Sequence, residues 1–87
     1  MRIIWDAEKN KKLAAERGLS LEEFAALILE NKYCAVLKNP ARQGQKIFIV
    51  LWRGYTYVVP FVLDKDKNIV LKTVFPSRKY QKIYGGK

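Results

Sequence analysis

The chain has 87 residues, of which 49% are hydrophobic and 13% aromatic, and its formal net charge is +9. This composition excludes a disordered basic tail and leaves room for one domain, which we expect to span residues 1–87. One cysteine excludes an internal disulfide, and apolar runs of six or seven residues are far shorter than the ~20 residues of a membrane helix. We therefore expect a cytoplasmic protein without membrane contact.

The first third of the chain predicts a short strand followed by a helix. Residues 3–5 are Ile-Ile-Trp, which is typical of a strand. Asp6 is a good helix N-cap, because its carboxylate can accept hydrogen bonds from the free N–H groups of the first turn. Residues 7–17 are rich in helix-favouring Ala, Glu, Lys and Leu, and Gly18 suits the left-handed position after a helix. The lysines of this helix alternate with acidic residues, which predicts a solvated face.

A second helix is predicted from Ser20 to about Asn31. Ser20 and Glu23 have the spacing of a capping box, in which each side chain bonds the backbone N–H of the other residue. The helix has an apolar stripe at helical spacing, which predicts that one side packs against a sheet. The stripe consists of Leu21, Phe24, Ala25, Ile28 and Leu29.

Four further strands are predicted in the rest of the chain, at residues 33–37, 47–52, 55–63 and 69–75. Arg53-Gly54 predicts a type I turn with a bulge at the glycine. Pro60 lacks an N–H donor, so its strand should bulge or lie at a sheet edge there. Pro76 should end the last strand, and Ser77 can cap a short final helix.

The element order β-α-α-β-β-β-β, with a possible short C-terminal helix, predicts an α+β fold. Two N-terminal helices should pack on one face of a small, mostly antiparallel sheet of four to five strands. Trp5, Trp52, Tyr55 and Tyr57 are interpreted as core and strand residues rather than base-stacking platforms, and Cys34 as a buried small side chain. The strands are apolar on both sides, so the second face needs a cover. That cover could be the C-terminal segment, a second copy or another protein.

Charge is divided unevenly along the chain. Residues 1–30 carry five basic and six acidic side chains, whereas residues 31–87 carry twelve basic and two acidic ones. The strands lie mostly in the basic part, so one side of the domain should be positive and attract a polyanion such as RNA or DNA. Charge alone does not distinguish binding from cleavage.

The residue supply excludes several catalytic classes. The chain has no histidine and one cysteine, which excludes a zinc site, a Ser-His-Asp triad and a Cys-His pair. Asp64, Asp66 and Asn68 imitate the start of a calcium loop, but Ile69 and Phe75 stand where such a loop has Gly and Glu. The chain also lacks a Gly-rich phosphate loop ending in Gly-Lys-Ser/Thr. We expect no metal and no cofactor.

The remaining Lys, Arg and Tyr side chains can cleave RNA without a metal. The 2′-hydroxyl attacks the adjacent phosphate while side chains transfer protons and stabilise the developing charge. The densest group of candidates lies after the last strand, and the others lie on the preceding strand, a loop and a hairpin tip. In the alternative interpretation the terminal segment is a solvated tail whose tyrosines and Ile83 pack on the sheet. The candidates are Arg78, Lys79, Tyr80, Lys82, Tyr84, Lys72, Lys46, Arg42 and Arg53.

Three segments resemble a known family. The sequence Ile-Trp-Asp-Ala-Glu-Lys at residues 4–9 and the sequence Glu-Arg-Gly-Leu-Ser-Leu-Glu-Glu at residues 16–23 are similar to the N-terminal half of BrnT-type toxins. These are members of the RelE-like superfamily from type II toxin–antitoxin systems. Ser-Arg-Lys at residues 77–79 resembles the segment that follows the family's last strand. Many relatives have His before the glycine that ends the first helix, where this chain has Arg17.

The resemblance implies a ribonuclease that stops translation by cutting RNA, in some relatives mRNA held on the ribosome. It also implies a cognate antitoxin, which would cover the open sheet face. Arg78 and Lys79 fall on the family's basic segment, and Lys46 and Tyr84 match in type the Lys and Tyr of RelE-like enzymes, so these four are the predicted catalytic residues. Arg53 likewise matches in type an Arg of those enzymes. The predicted RNA-binding residues are Arg42, Arg53, Lys72, Lys82 and Tyr80.

Two alternatives remain open at this stage. The protein could be a non-catalytic RNA- or DNA-binding module, which would bind in a salt-dependent way without cleavage. It could also be an interaction subunit whose basic face meets an acidic partner such as an antitoxin.

Overall fold

The computed structural model describes residues 2–85, and within them the chain forms six strands and three helices. The order confirms the predicted α+β arrangement, including the C-terminal helix. The strands are β1 (Ile3–Trp5), β2 (Ala35–Lys38), β3 (Lys46–Trp52), β4 (Tyr55–Leu63), β5 (Ile69–Leu71) and β6 (Phe75–Pro76). The helices are α1 (Ala7–Arg17), α2 (Leu21–Leu29) and α3 (Arg78–Tyr84).

The strands form one mixed sheet in the order β1-β5-β4-β3-β2. β1 runs parallel to β5 and the other neighbours are antiparallel, which confirms a mostly antiparallel sheet. β6 also pairs antiparallel with β4. The predicted strand at 69–75 is thus divided into β5 and β6, which accounts for a sheet of six strands rather than four to five.

The division between β5 and β6 lies opposite Pro60. Phe61 pairs with Leu71 and Val58 with Phe75, so two residues of β4 face three residues of the partner segment. The Pro60 carbonyl accepts from the Lys72 N–H at 2.8 Å. The side of β4 on which Pro60 lacks an N–H donor therefore faces the segment that contains β5 and β6. The prediction that the strand of Pro60 bulges or lies at an edge is therefore wrong: the extra residue belongs to the partner segment, and β4 is paired on both sides.

The helix starts follow the predicted caps in part. The Asp6 carboxylate accepts from the N–H groups of Glu8 and Lys9, and Ser20 Oγ accepts from Glu22 N–H. The predicted capping box is incomplete, because no return bond joins Glu23 to Ser20 N–H among the described hydrogen bonds. The free N–H of Leu21 instead donates to Asn10 Oδ1 at 2.8 Å, which ties α2 to α1.

Two further local predictions are wrong. Arg53 and Gly54 have φ values of 51° and 80°, so the hairpin has a type I′ turn rather than a type I turn. The primed turn matches the right-handed twist of β3 and β4, whereas a type I turn would splay them. Cys34 is exposed rather than buried, and it directly precedes β2, which lies at the edge of the sheet.

The two faces of the sheet are covered unequally. α1 and α2 cover the first face, where thirteen buried residues form the main core and Trp5 and Trp52 pack against it as predicted. On the second face, Tyr80 and Tyr84 of α3 pack on a smaller buried cluster of Ile47, Ile49 and Val58. The C-terminal segment thus supplies part of the cover that the sequence left open.

Candidate functional site

An open cleft of about 650 Å³ lies between α1, the loop that joins β2 to β3, and the bulge between β5 and β6. The three elements are far apart in sequence and are brought together by the packing of α1 on the sheet. α1 contributes Lys9, Lys12, Leu13, Glu16 and Arg17; the loop contributes Asn39, Ala41, Arg42 and Gln45; the sheet contributes Pro60, Lys72, Thr73 and Phe75.

α1 presents one helical face to this cleft. Lys9, Lys12 and Glu16 lie at the three- and four-residue spacing that places side chains on the same side of a helix, and Arg17 lies four residues after Leu13. Leu13 lies within the same face and is buried in the main core, which fixes the rotation of the helix. The charged residues around Leu13 must therefore line the border between the helix and the cleft.

The β2–β3 loop is closed by a pair of amide side chains. Asn39 N–H donates to the Gln45 carbonyl at 3.0 Å, and Asn39 Nδ2 donates to Gln45 Oε1 at 3.1 Å. Asn39 Oδ1 also accepts from Ala41 N–H at 2.9 Å. Gly44 has a φ of 83°, a conformation that favours glycine. These bonds hold the short loop that carries Arg42 into the cleft.

A second hollow of about 440 Å³ adjoins the loop and is lined by Lys38, Arg42 and Lys46 among others. Lys38 and Lys46 are directly opposite each other in the β2–β3 register, and both are exposed. Like charges in this position destabilise a sheet. An anion bound between them would offset that cost.

The cleft is strongly positive. Five cations line it, namely Lys9, Lys12, Arg17, Arg42 and Lys72, against one carboxylate, Glu16. Within residues 2–85 the single ion pair joins Lys32 to Glu30, at 3.2 Å, so no cleft cation has a carboxylate partner within 4.0 Å. Five cations without a carboxylate partner create a positive potential in the cleft, which favours a phosphate-bearing ligand.

Three of the nine residues that the sequence indicated lie in this region. Arg42 and Lys72 line the cleft, and Lys46 lies with Arg42 in the adjoining hollow. Arg53 follows the other end of β3, about 23 Å from Lys46 at 3.3 Å per residue. Its guanidinium lies 4.4 Å from the centre of the Trp52 ring.

The other five indicated residues belong to α3, which packs on the second face. Tyr80 and Tyr84 pack on the second-face cluster, as the alternative interpretation proposed, although Ile83 is exposed. Lys79 Nζ lies 5.1 Å from the centre of the Tyr80 ring. Arg78 and Lys82 are exposed. The predicted cluster is therefore divided between two parts of the molecule.

Sequence reasoning missed the contribution of α1. Lys9 and Lys12 were interpreted as part of a solvated face, because the lysines alternate with acids along the helix, and Glu16 and Arg17 were not among the candidates. The sequence signal that could have found these four residues is their position around Leu13 on the helix. Charged residues beside a leucine that packs in the core lie at the edge of the packed surface. Lys38 gave no signal of its own, because its position opposite Lys46 depends on strand register.

Asp64 belongs to the turn between β4 and β5 and not to the cleft. The hydrogen bond from Asn68 N–H is the largest influence and, with those from the Asn68 side chain and Asp66 N–H, holds the pKa of Asp64 below its ordinary value, against an opposing effect of desolvation. These hydrogen bonds show that the residues that imitate a calcium loop stabilise a turn.

Within residues 2–85, no group of three or more His, Cys, Asp and Glu side chains is arranged to hold a metal ion. A membrane-spanning helix would need more length and apolarity than any described helix has.

Comparison with solved structures shows a likeness to the ribonuclease toxin BrnT of Brucella abortus. The TM-score is 0.65 and the sequence identity is 24%, and the match covers 88% of this chain and 96% of that protein. No protein-family model matches the sequence, and comparison with curated proteins gives no match. The likeness shows that the two chains share a fold.

Proposed function

We propose that this protein is an endoribonuclease that acts as the toxin of a toxin–antitoxin system and inhibits translation by cutting RNA. Its support is the five-cation cleft in a fold that it shares with a ribonuclease toxin. The cleft carries the proposal, because it offers a phosphate-binding surface with a proton acceptor beside it.

The chemistry requires no metal. The RNA 2′-hydroxyl attacks the adjacent phosphorus, its proton passes to a base, and the bond to the 5′ oxygen breaks as a 2′,3′-cyclic phosphate forms. Glu16 is the carboxylate in reach of the cleft and is the proposed base. Arg42 and Lys72 stabilise the charge that develops on phosphate, and Arg42 can do so with two parallel hydrogen bonds. Lys46 is the proposed donor to the leaving oxygen.

The α3 residues enter the proposal differently. Arg78 follows the cleft residue Phe75 by three positions, so its Cα lies within about 11 Å of the cleft wall. Arg78 and Lys79 can therefore extend the RNA path beyond the cleft. The catalytic roles predicted for Arg78, Lys79 and Tyr84 rest on residue type and on the sequence resemblance.

The proposed protein partner is an antitoxin that binds the second face. Leu51 on that face is 46% exposed, and Ile83 of α3 is 60% exposed, so apolar surface remains outside the α3 contact. Covering such surface is favourable in proportion to its area.

The test is RNA cleavage by the purified protein in the presence of EDTA, with growth and mRNA integrity followed after induced expression. Arg42→Ala/Lys72→Ala should abolish cleavage and growth arrest. The matched control is Lys11→Ala/Lys65→Ala, which removes the same charge from exposed positions outside the cleft and should remain active. Salt-dependent RNA binding without cleavage by the wild type would instead identify a binding module.

A further inference from the structure

Exposed apolar side chains are found in several places on the described surface, and one differs from the rest. Among the large exposed hydrophobic residues of residues 2–85, Phe75 is the single aromatic one and the single one that lines the cleft. The full set is Leu29, Val36, Leu51, Leu63, Phe75 and Ile83.

Phe75 differs from the other phenylalanines in its exposure. Its side chain is 36% exposed, whereas Phe24, Phe48 and Phe61 are at most 5% exposed. A phenylalanine that lines a basic cleft and remains partly exposed is available to a ligand.

The backbone of Phe75 is held firmly. It pairs with Val58 in the sheet, and the next residue, Pro76, pairs with Tyr57. A residue before proline is restricted to extended conformations, which suits this strand position. The bulge at residues 72–74 sets Phe75 beside Lys72 on the same cleft wall, with Arg42 on the loop opposite. The backbone that carries the ring is thus fixed in the wall of a cleft that Lys72 and Arg42 also line.

We infer that Phe75 stacks on an unpaired nucleobase, and that the ligand of the cleft is single-stranded RNA. Aromatic rings are the usual platforms for unpaired bases, while flanking cations hold the phosphates. In a duplex the base faces are already stacked on their neighbours, so the platform would have nothing to bind. This inference deepens the proposed function and rests on the same cleft.

The test is equilibrium binding of a short single-stranded RNA whose 2′-hydroxyls are replaced by 2′-fluoro groups, which prevents cleavage. Phe75→Leu keeps an apolar side chain without a ring and should weaken binding roughly tenfold. The slope of log affinity against log salt should stay unchanged, because no phosphate contact is lost. Phe75→Trp should bind as well as the wild type. The control Leu63→Ala removes an exposed apolar side chain outside the cleft and should have no effect.

A duplex of the same sequence should bind more weakly, and Phe75→Leu should not change its affinity. Equal binding of single strand and duplex, or wild-type affinity in Phe75→Leu, would overturn the inference. If Phe75→Leu does not fold, Phe75→Trp still decides, since a stacked base should quench the additional tryptophan emission relative to wild type. Unchanged emission at saturation would overturn the inference.

The two proposals fail separately. Cleavage of ordinary RNA with no dependence of binding on residue 75 would retain the ribonuclease and remove the stacking platform. Binding that depends on the ring, with no cleavage of ordinary RNA, would retain the platform and remove the ribonuclease.

Discussion

The two faces of the sheet are covered by different amounts of helix and bury different numbers of residues. The first face lies under α1 and α2, of eleven and nine residues, and buries thirteen residues in one cluster. The second face lies under the seven-residue α3 and buries three. Burial of apolar area dominates folding free energy, so the first face should determine stability. The basic cleft lies at the border of this face, where a firm scaffold can hold charged side chains in place.

Phe24→Ala should show the largest effect and sharpen this comparison. Phe24 is fully buried, and its ring centre lies 5.2 Å from that of Trp52 and 5.5 Å from that of Tyr57. Its removal leaves a cavity that α2 and the sheet cannot close, and should lower the free energy of unfolding by about 3–5 kcal/mol. Urea denaturation measures this. A loss below ~1.5 kcal/mol would mean that the first face does not dominate stability.

Arg42→Ala and Arg78→Ala compare the two faces in activity. Arg42 lies in the cleft, whereas Arg78 starts α3. Removal of a group that stabilises transition-state charge costs about 10²–10³ in rate, so we expect this loss for Arg42→Ala and less than tenfold for Arg78→Ala. Single-turnover cleavage rates, measured on variants with unchanged denaturation midpoints, provide the test. The reverse order would place catalysis on the segment after the last strand, where the sequence predicted it.

Local sequence signals predicted the elements better than the site. The N-caps at Asp6 and Ser77, the helix-ending Gly18 and the strand run that became β3 depend on neighbouring residues, and the structure confirms them. The cleft depends on how α1 rotates on the sheet and on a bulge opposite Pro60. No short window of sequence contains those two facts.

The predicted basic cluster illustrates the same limit. Five of its members are close together in sequence, and that closeness suggested one site. In the structure these five residues share one helix but lie on different sides of it. Tyr80 and Tyr84 pack on the sheet, whereas Arg78, Lys79 and Lys82 are exposed. The type I′ turn at Arg53 was also missed, because arginine is uncommon at a positive φ.

Tyr84→Ala and Tyr84→Phe separate packing from chemistry on the second face. Tyr84 is half-buried against the second-face cluster, so its truncation should lower the free energy of unfolding by about 1–2 kcal/mol. Tyr84→Phe keeps the ring and should match the wild type in urea denaturation. Cleavage by this folded variant then tests the predicted role of the hydroxyl. A loss of a hundredfold or more would support proton transfer by Tyr84, whereas wild-type activity would leave packing as its role.

Asp64→Asn should have the smallest effect on stability, because Asp64 lies in a turn rather than on either face of the sheet. Hydrogen bonds from Asn68 and Asp66 lower the pKa of the Asp64 carboxyl in the folded state. A lowered folded-state pKa means that the ionised carboxylate contributes stability above its unfolded pKa, and that this contribution is lost as pH falls through the folded pKa. The variant should therefore be slightly less stable than the wild type at pH 7, and the difference should shrink below about pH 4. Denaturation midpoints at pH 7 and pH 3 measure the two differences. A difference that persists at pH 3 would show that the side-chain shape, rather than its charge, holds the turn between β4 and β5.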